Sequence, residues 1–179
     1  SDWSSDVCSS DLLPALAPAT GQVRWTATTK SAGYPACSSA PALASGLLLT
    51  LVEKELQAFD AANGAPKWQR ALPAGQPLYN LAVSNGIAYT GSPQGFHGFR
   101  IDNGQPVFEA PFPLKPSGAG LPLLISGGVL YFAGNAEFPP DSAKTRTGWL
   151  YALDLASKSI LWKHHASRQN PHRLALRPR

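Results

Sequence analysis

The sequence predicts an all-β fold made of short strands, and three features of the chain indicate it. Its 179 residues include 16 Gly and 17 Pro but no Met, and this density of turn-forming residues suits many tight connections. Short apolar segments alternate with turn signals such as Asn85-Gly86, a dipeptide that strongly favours a hairpin. A strand–turn–strand phrase also recurs along the chain. No apolar run reaches the roughly 18 residues of a membrane helix, so no membrane span is predicted.

The repeated phrase is clearest at residues 56–68, LQAFDAANGAPKW, and again at residues 150–162, LYALDLASKSILW. A shortened copy covers residues 99–108, and the end of a fourth copy covers residues 15–25. Each copy ends on an aromatic residue. A period of about 40 residues with four short strands per unit is typical of a β-propeller. The sequence therefore predicts a partial β-propeller of about three four-stranded antiparallel blades, preceded by the end of another blade.

The repeat divides the chain into three parts. Residues 1–12 have no periodicity and resemble the conceptual translation of a sequencing adapter, so we expect an adapter-like, disordered artefact outside the fold. Residues 13–165 form the propeller fragment, and residues 166–179 form an irregular basic tail. The preceding blade is expected to end over residues 13–29, and the three blades to cover about residues 41–72, 80–110 and 121–165.

The charge of the chain is concentrated at one end. Five of the 15 Lys and Arg residues follow Trp162, in a segment that contains no Asp or Glu. The rest of the chain is close to neutral, so the net charge of +4 does not describe the fold. Binding of nucleic acid is therefore not predicted, because it requires a basic stripe on a folded face.

The polar residues of the phrase have roles that their chemistry predicts. Asp60 and Asp154 end a strand, where a short carboxylate can accept hydrogen bonds from the N–H groups of the turn. Asp102 is aligned with them in the middle copy. Glycine supplies the positive φ that other residues adopt at a cost. The glycine position is occupied by Gly21, Gly64 and Gly104, and less favourably by Lys158.

The aromatic residue that closes each copy lies four residues after the glycine position, early on the outermost strand. A large flat ring there is expected to wedge between neighbouring blades and to bury roughly 150–250 Å². Phe108 is smaller than the other closing residues, so the joint that it makes is expected to be weaker. The ring positions are Trp25, Trp68, Phe108 and Trp162.

The pattern Asp-x-x-Thr/Asn-Gly-x-x-x-Trp, after an Ala-Leu or Ala-Phe strand, resembles the tryptophan-docking repeat of the PQQ-like (pyrroloquinoline-quinone-type) β-propellers. The resemblance covers about residues 13–165. That family is mainly eight-bladed, so the resemblance implies that the remaining blades of the same parent chain pack against this one. The chain departs from the pattern at Ala17, which replaces the Asp, at Phe108, and in the middle turn, which the alignment makes two residues shorter.

The resemblance implies two classes of function. The first is a non-catalytic propeller for protein interaction or scaffolding in the cell envelope, periplasmic or extracellular, as in BamB-like outer-membrane assembly lipoproteins. The second is a fragment of a periplasmic quinoprotein dehydrogenase that oxidises alcohols or sugars with PQQ and Ca²⁺. Such enzymes typically carry an adjacent Cys-Cys pair and acidic Ca²⁺ ligands, whereas Cys37 is the only cysteine after residues 1–12. We expect protein partners and no cofactor in this chain; PQQ and Ca²⁺ would belong to a full-length dehydrogenase parent.

An insertion in the last unit, residues 134–147, is the strongest candidate for a binding loop. It is interpreted either as a cation or partner loop at the rim of the propeller or as a solvated loop. His164 and His165 are adjacent on a predicted strand and point to opposite faces, so a zinc site is not predicted. The polar residues of the insertion are Asn135, Glu137, Asp141 and Arg146.

An arc of blades differs from a closed propeller at its ends. A ring covers both faces of each blade, whereas an arc leaves one blade face uncovered at each end. We therefore expect the isolated chain to aggregate.

Overall fold

A computed structural model describes residues 12–29, 39–52, 54–72, 78–92, 94–111, 123–135 and 148–166. Every regular element in these ranges is a strand, and all the strand pairs are antiparallel. They form one two-stranded sheet and three four-stranded sheets. The prediction of an all-β partial propeller is confirmed.

The strands follow one another in chain order within each sheet. The two-stranded sheet, here called the half-blade, contains β1 (Leu12–Leu16) and β2 (Val23–Thr28). Blade one contains β3 (Ala42–Ala44), β4 (Leu47–Val52), β5 (Glu55–Asp60) and β6 (Pro66–Ala71). Blade two contains β7 (Tyr79–Ser84), β8 (Ile87–Ser92), β9 (Gly95–Arg100) and β10 (Pro106–Pro111). Blade three contains β11 (Leu123–Ser126), β12 (Val129–Asn135), β13 (Gly148–Asp154) and β14 (Ile160–Ala166).

The hydrophobic core lies between neighbouring blades, because alternate side chains of each strand point to opposite faces of its sheet. Leu49 and Leu56 of blade one pack in one cluster with Phe99 of blade two. Phe96 of blade two packs edge-to-face on Phe132 of blade three, with ring centroids 4.6 Å apart. We call the side of a blade that faces the next blade along the chain its forward face, and the other side its backward face.

The turn between the third and fourth strands of each blade, here called the closing turn, has the same backbone pattern throughout. In blade one the N–H of Asp60 donates to the carbonyl of Ala65, and the N–H of Gly64 donates to the carbonyl of Asp60, both at 2.8 Å. The half-blade, blade two and blade three repeat both bonds at 2.8 to 2.9 Å. The four closing turns therefore have one common length.

This common length corrects the sequence alignment of the middle copy. The N–H of Gly104 donates to the carbonyl of Arg100, so Arg100 takes the place of Asp60. Asp102 then lies at the position of Ala62, and the turn is not two residues shorter. The alignment was wrong because it matched the acidic side chains, whereas the backbone pairing around Gly104 sets the length of the turn.

Candidate functional site

The candidate site is the set of contacts between the aromatic ring that ends one copy of the repeat and the closing turn of the next blade. We call each of these contacts a joint. At the first joint, the indole Nε1 of Trp25 donates to the carbonyl oxygen of Ala61 at 3.0 Å. The ring lies on Gly64, whose φ is +75°, and a Cβ at that residue would be 2.6 Å from Cε3 of Trp25. Gly64 is therefore required both by its backbone conformation and by the close approach of the ring.

The second joint repeats this arrangement one blade further on. Nε1 of Trp68 donates to the carbonyl oxygen of Ile101 at 2.9 Å. A Cβ at Gly104 would again lie 2.6 Å from Cε3 of the tryptophan. Arg70 adds a contact that the sequence analysis missed, because its Nε donates to the carbonyl of Gly104 at 3.1 Å. Its position two residues after Trp68 on a strand, and therefore on the same face, is the signal that could have identified it.

The third joint is built from different residues. Phe108 is buried, and Lys158 takes the glycine position of the next closing turn with a φ of +58°. The Nζ atom of Lys158 lies 5.4 Å from the centroid of the Phe108 ring, a distance at which a cation is attracted to an aromatic face. A smaller ring and a side chain at the glycine position thus occur together.

The fourth ring has a different environment. Trp162 is 44% exposed, although it stands at the same place in its blade as Trp68. Its ring contacts Tyr131 of the same blade, with centroids 6.0 Å apart.

The carboxylates of two closing turns accept hydrogen bonds within the turn. Asp60 accepts a bond from the N–H of Ala62 at 2.9 Å and forms an ion pair with Lys67 at 3.0 Å. Asp154 accepts a bond from the N–H of Ser157 at 2.6 Å. These hydrogen bonds lower the pKa of both carboxyl groups, with Lys67 adding to the effect at Asp60. Both carboxylates therefore stabilise their own turns.

The closing turn of blade two holds its acidic residue in another way. Asp102 forms an ion pair with Arg100 at 3.2 Å, and this contact lowers the pKa of the carboxyl group and raises that of the guanidinium. Both side chains are exposed, so the pair adds little stability. Asn103, just before the glycine, accepts a bond from the N–H of Gln105 at 2.9 Å.

A polar pair that the sequence analysis did not single out is buried in blade two. Nε2 of His97 and Oγ of Ser92 are hydrogen-bonded at 2.8 Å. Burial lowers the pKa of His97, and the negative charge of Glu109 partly opposes this shift. Ser92 is 1% exposed and His97 is 8% exposed, so the pair is closed to a substrate and serves the packing of the blade.

The side chains that commonly bind metal ions are not clustered in the described part of the chain. The described ranges hold no group of three or more His, Cys, Asp or Glu residues that could bind a metal. Asn135 is the last residue of β12, where it pairs with Gly148 of β13. The other residues proposed for the rim loop, Glu137, Asp141 and Arg146, lie outside the described ranges, as does Cys37.

The repeat and its joints agree with a comparison to known protein families. The model of a family described as "Outer membrane protein assembly factor BamB" (PQQ_2) matches residues 7–174. The chain belongs to this family of PQQ-like β-propeller repeat proteins. The resemblance that the turn motif indicates is thereby confirmed at the level of the family.

Solved structures of low sequence identity share the fold. BamB from Moraxella catarrhalis is 19% identical, over 87% of this chain and 46% of that chain, with a TM-score of 0.57. The quinohemoprotein alcohol dehydrogenase ADHIIG from Pseudomonas putida HK5 is 16% identical, over 92% of this chain and 24% of that chain, with a TM-score of 0.60. The computationally designed Ika8 protein is 14% identical, over 84% of this chain and 42% of that chain, with a TM-score of 0.57.

These likenesses concern the architecture alone. The chain spans less than half the length of each of the three proteins. A search among curated proteins gives no match. Within the described ranges, no helix has the length and apolar character needed to cross a membrane.

Proposed function

We propose that the chain is a non-catalytic β-propeller module that binds a protein partner in the cell envelope. The observation that carries the proposal is the use of the motif's polar groups within the fold. Asp60 and Asp154 accept bonds from their own turns, and Trp25 and Trp68 donate to the next blade. Such a motif builds a scaffold, and the description of the matching family as an outer-membrane assembly factor supports an envelope partner.

Trp25 and Trp68 are the docking residues of this scaffold. Each of these two rings covers a glycine of the following blade and binds a backbone carbonyl beside it, so ring and turn fix the position of one sheet on the next. A rigid stack of sheets can hold its connecting loops in place for binding, which is the usual division of labour between scaffold and loops.

The partner binds the insertion between β12 and β13. This segment is the longest connection between two strands of one blade. It carries charges of both signs, at Glu137, Asp141 and Arg146. Charged residues on a loop contribute to the rate and specificity of protein association.

Binding to a purified outer-membrane protein assembly complex, measured by surface plasmon resonance with the 179-residue chain, tests the proposal. We expect saturable binding that a triple variant, Glu137→Ala with Asp141→Ala and Arg146→Ala, weakens by about tenfold or more. The matched control removes the exposed ion pair of the blade two closing turn, Arg100→Ala with Asp102→Ala, and should bind like the parent chain. Binding of the triple variant with the affinity of the parent chain would show that these three residues of the insertion do not bind the partner.

An enzymatic assay provides the opposing test. The chain is incubated with PQQ and Ca²⁺, bound quinone is measured by its absorbance after gel filtration, and alcohol oxidation is followed with a redox dye. We expect no quinone retained and no alcohol-dependent dye reduction. Stoichiometric retention of PQQ together with dye reduction would overturn the non-catalytic proposal.

A further inference from the structure

We propose that Asn85 is a site of spontaneous covalent modification, at which its side-chain amide is lost through a cyclic imide formed with the backbone nitrogen of Gly86. The dipeptide Asn-Gly occurs three times in the chain, beginning at Asn63, Asn85 and Asn103. The fold protects the first and the third copy and leaves the second open to the reaction. This inference does not depend on the identity of an envelope partner.

The reaction needs only the two residues and water. The backbone nitrogen after the asparagine loses its proton and bonds to the side-chain amide carbon, Cγ, and the amide nitrogen leaves as ammonia. Water then opens the five-membered imide at one of its two carbonyls. Cleavage at Cγ gives aspartate, and cleavage at the backbone carbon gives isoaspartate. Glycine favours the attack, because it has no side chain to hinder the approach and its backbone moves most freely.

Hydrogen bonds hold the reacting groups of the two protected copies. Oδ1 of Asn63 accepts a bond from the N–H of Ala65 at 2.9 Å, and the N–H of Gly64 donates within the closing turn at 2.8 Å. The same two bonds, at the same distances, hold Asn103 and Gly104 in blade two. Formation of the imide would break both bonds of a turn.

The indole rings protect these two copies further. Gly64 and Gly104 are buried, and a Cβ at either residue would lie 2.6 Å from the ring of Trp25 or Trp68. The backbone beside the glycine must rotate before its nitrogen can reach Cγ of the asparagine. A turn that is packed under a ring can do so only when the joint opens, so the reaction there is limited to the open fraction of molecules.

The hairpin turn between β7 and β8 has neither form of protection. Asn85 and Gly86 are both exposed, and a Cβ at Gly86 would meet nothing within 4 Å. Within the described part of the chain, no hydrogen bond is made by the side chain of Asn85 or by the N–H of Gly86. Blade two has a blade against its forward face and another against its backward face, so this turn does not lie at an end of the arc.

The backbone of this turn does not require an asparagine. The φ of Asn85 is +49°, and the residues at the same place in the hairpin turns of blades one and three are Ser45, at +51°, and Gly127, at +57°. Three residue types therefore fill one turn geometry, and only blade two has the reactive amide there. Asn85→Gly should remove the reaction and keep the turn.

The product would affect the joint of Trp68. The carbonyl of Gly86 accepts a bond from the N–H of Ile101 at 3.0 Å, and the carbonyl of Ile101 accepts the bond from Trp68. Isoaspartate adds one atom to the backbone just before Gly86, so it displaces the Gly86 carbonyl from Ile101. The modification is therefore expected to loosen the closing turn on which Trp68 docks.

Peptide mapping of the 179-residue chain after incubation in mildly alkaline buffer tests the proposal. Trypsin places the three Asn-Gly pairs in separate peptides, residues 55–67, 71–100 and 101–144. We expect the middle peptide to gain the mass of an amide-to-acid conversion about tenfold faster than the other two, because their turns must first open. Fragmentation by electron transfer should place the change at Asn85 and identify isoaspartate. Equal rates in the three peptides, or a faster rate in either of the others, would overturn the proposal.

The same incubation in concentrated urea is the control for the fold. Unfolding removes the hydrogen bonds and the rings, so the three pairs should then react at similar rates. If the middle peptide kept its full lead in urea, the selectivity would come from the local sequence and not from the structure, and the protection of Asn63 and Asn103 would be refuted.

Asn85→Gly tests the consequence for stability. The urea midpoint of the parent chain should fall as isoaspartate accumulates, whereas the midpoint of the variant should stay constant over the same incubation. Circular dichroism of the fresh variant should match that of the fresh parent. An equal fall in both proteins, or a constant midpoint in a parent chain that carries isoaspartate at this position, would refute the link to the Trp68 joint.

Discussion

The joint of Trp68 and the joint of Phe108 connect blade two to its two neighbours in different ways. The ring of Trp68 lies against Gly104, and its N–H donates to the carbonyl of Ile101. Phe108 has no N–H to donate, and it meets the amine of Lys158 instead of a bare glycine. The comparison shows that the ring and the residue beneath it change together, since an indole leaves no room for a Cβ.

The two joints also differ in what their closing turns require. The backbone demands a positive φ at both places, +68° at Gly104 and +58° at Lys158. A side chain in this region costs about 1–2 kcal/mol, and a cation–π contact at an exposed site returns only about 0.5–1 kcal/mol. The Phe108 joint is therefore expected to be the weaker of the two, as the sequence analysis predicts.

The largest expected effect comes from removing the ring of the stronger joint. Trp68→Ala should lower the free energy of unfolding by about 3 kcal/mol, because the variant loses packing between blades and leaves the carbonyl of Ile101 without its donor. Trp162→Ala is the control in dilute solution, where its exposed ring should contribute less than about 0.5 kcal/mol. Urea unfolding followed by circular dichroism measures both, and equal losses would refute the docking role of Trp68.

The next largest effect tests the close approach of the Trp68 ring to Gly104. Gly104→Ala should cost about 2–3 kcal/mol, since it combines backbone strain with a Cβ 2.6 Å from the Trp68 ring. Gly21→Ala has nearly the same φ and open space around its Cβ, so in dilute solution it should show the strain alone, about 1 kcal/mol. If urea unfolding gives the same loss for both, the ring does not depend on the glycine beneath it.

A smaller effect is expected from two substitutions that would convert the Phe108 joint into one like that of Trp68. Phe108→Trp alone should destabilise the fold by about 1 kcal/mol, because the larger ring meets the side chain of Lys158. Adding Lys158→Gly should reverse the sign of the change in the free energy of unfolding, so that the double variant is more stable than the parent chain. The coupling in a double-mutant cycle should be about 1–2 kcal/mol, measured from urea midpoints. Additive effects of the two substitutions would contradict the pairing of ring and turn residue.

The smallest effect compares the buried polar positions of blades one and two. His97 occupies the place of Gln57, opposite a threonine of the second strand in each blade. Because the folded state lowers the pKa of His97, the unfolded chain binds more protons once the pH falls below about 6.5. Stability from this group is therefore complete above about pH 6.5 and decreases as the pH falls through that value toward the folded-state pKa.

His97→Gln tests this pH dependence directly, since glutamine does not titrate and already fills the matching site of blade one. Thermal unfolding between pH 7 and pH 5 should show a drop in the parent chain that the variant lacks. The lowered pKa values of Asp60 and Asp154 give a separate loss below pH 4, which should persist in the variant. A variant with the same drop above pH 5 would show that other groups cause it.

The parts of the fold that are local in the chain could be predicted closely. Asn85-Gly86 forms the expected hairpin turn, between β7 and β8. Gly64 was identified because a turn of this kind needs a positive φ, and φ is a property of the residue and its immediate neighbours. The alignment of Asp102 with Asp60 is wrong because two local signals conflict. The acidic side chain favours Asp102, whereas the spacing to the glycine of the turn favours Arg100.

The repeat, the four-stranded blades and the turn chemistry of Asp60 and Asp154 follow from the amino-acid sequence alone, because strand alternation and turn preferences act over a few residues. The contacts between blades required the three-dimensional structure: Trp68 binds the carbonyl of Ile101, 33 residues away, Arg70 binds the same closing turn, and Lys158 meets Phe108. These contacts depend on how one twisted sheet is placed on the next, and that placement results from packing of the whole blade face.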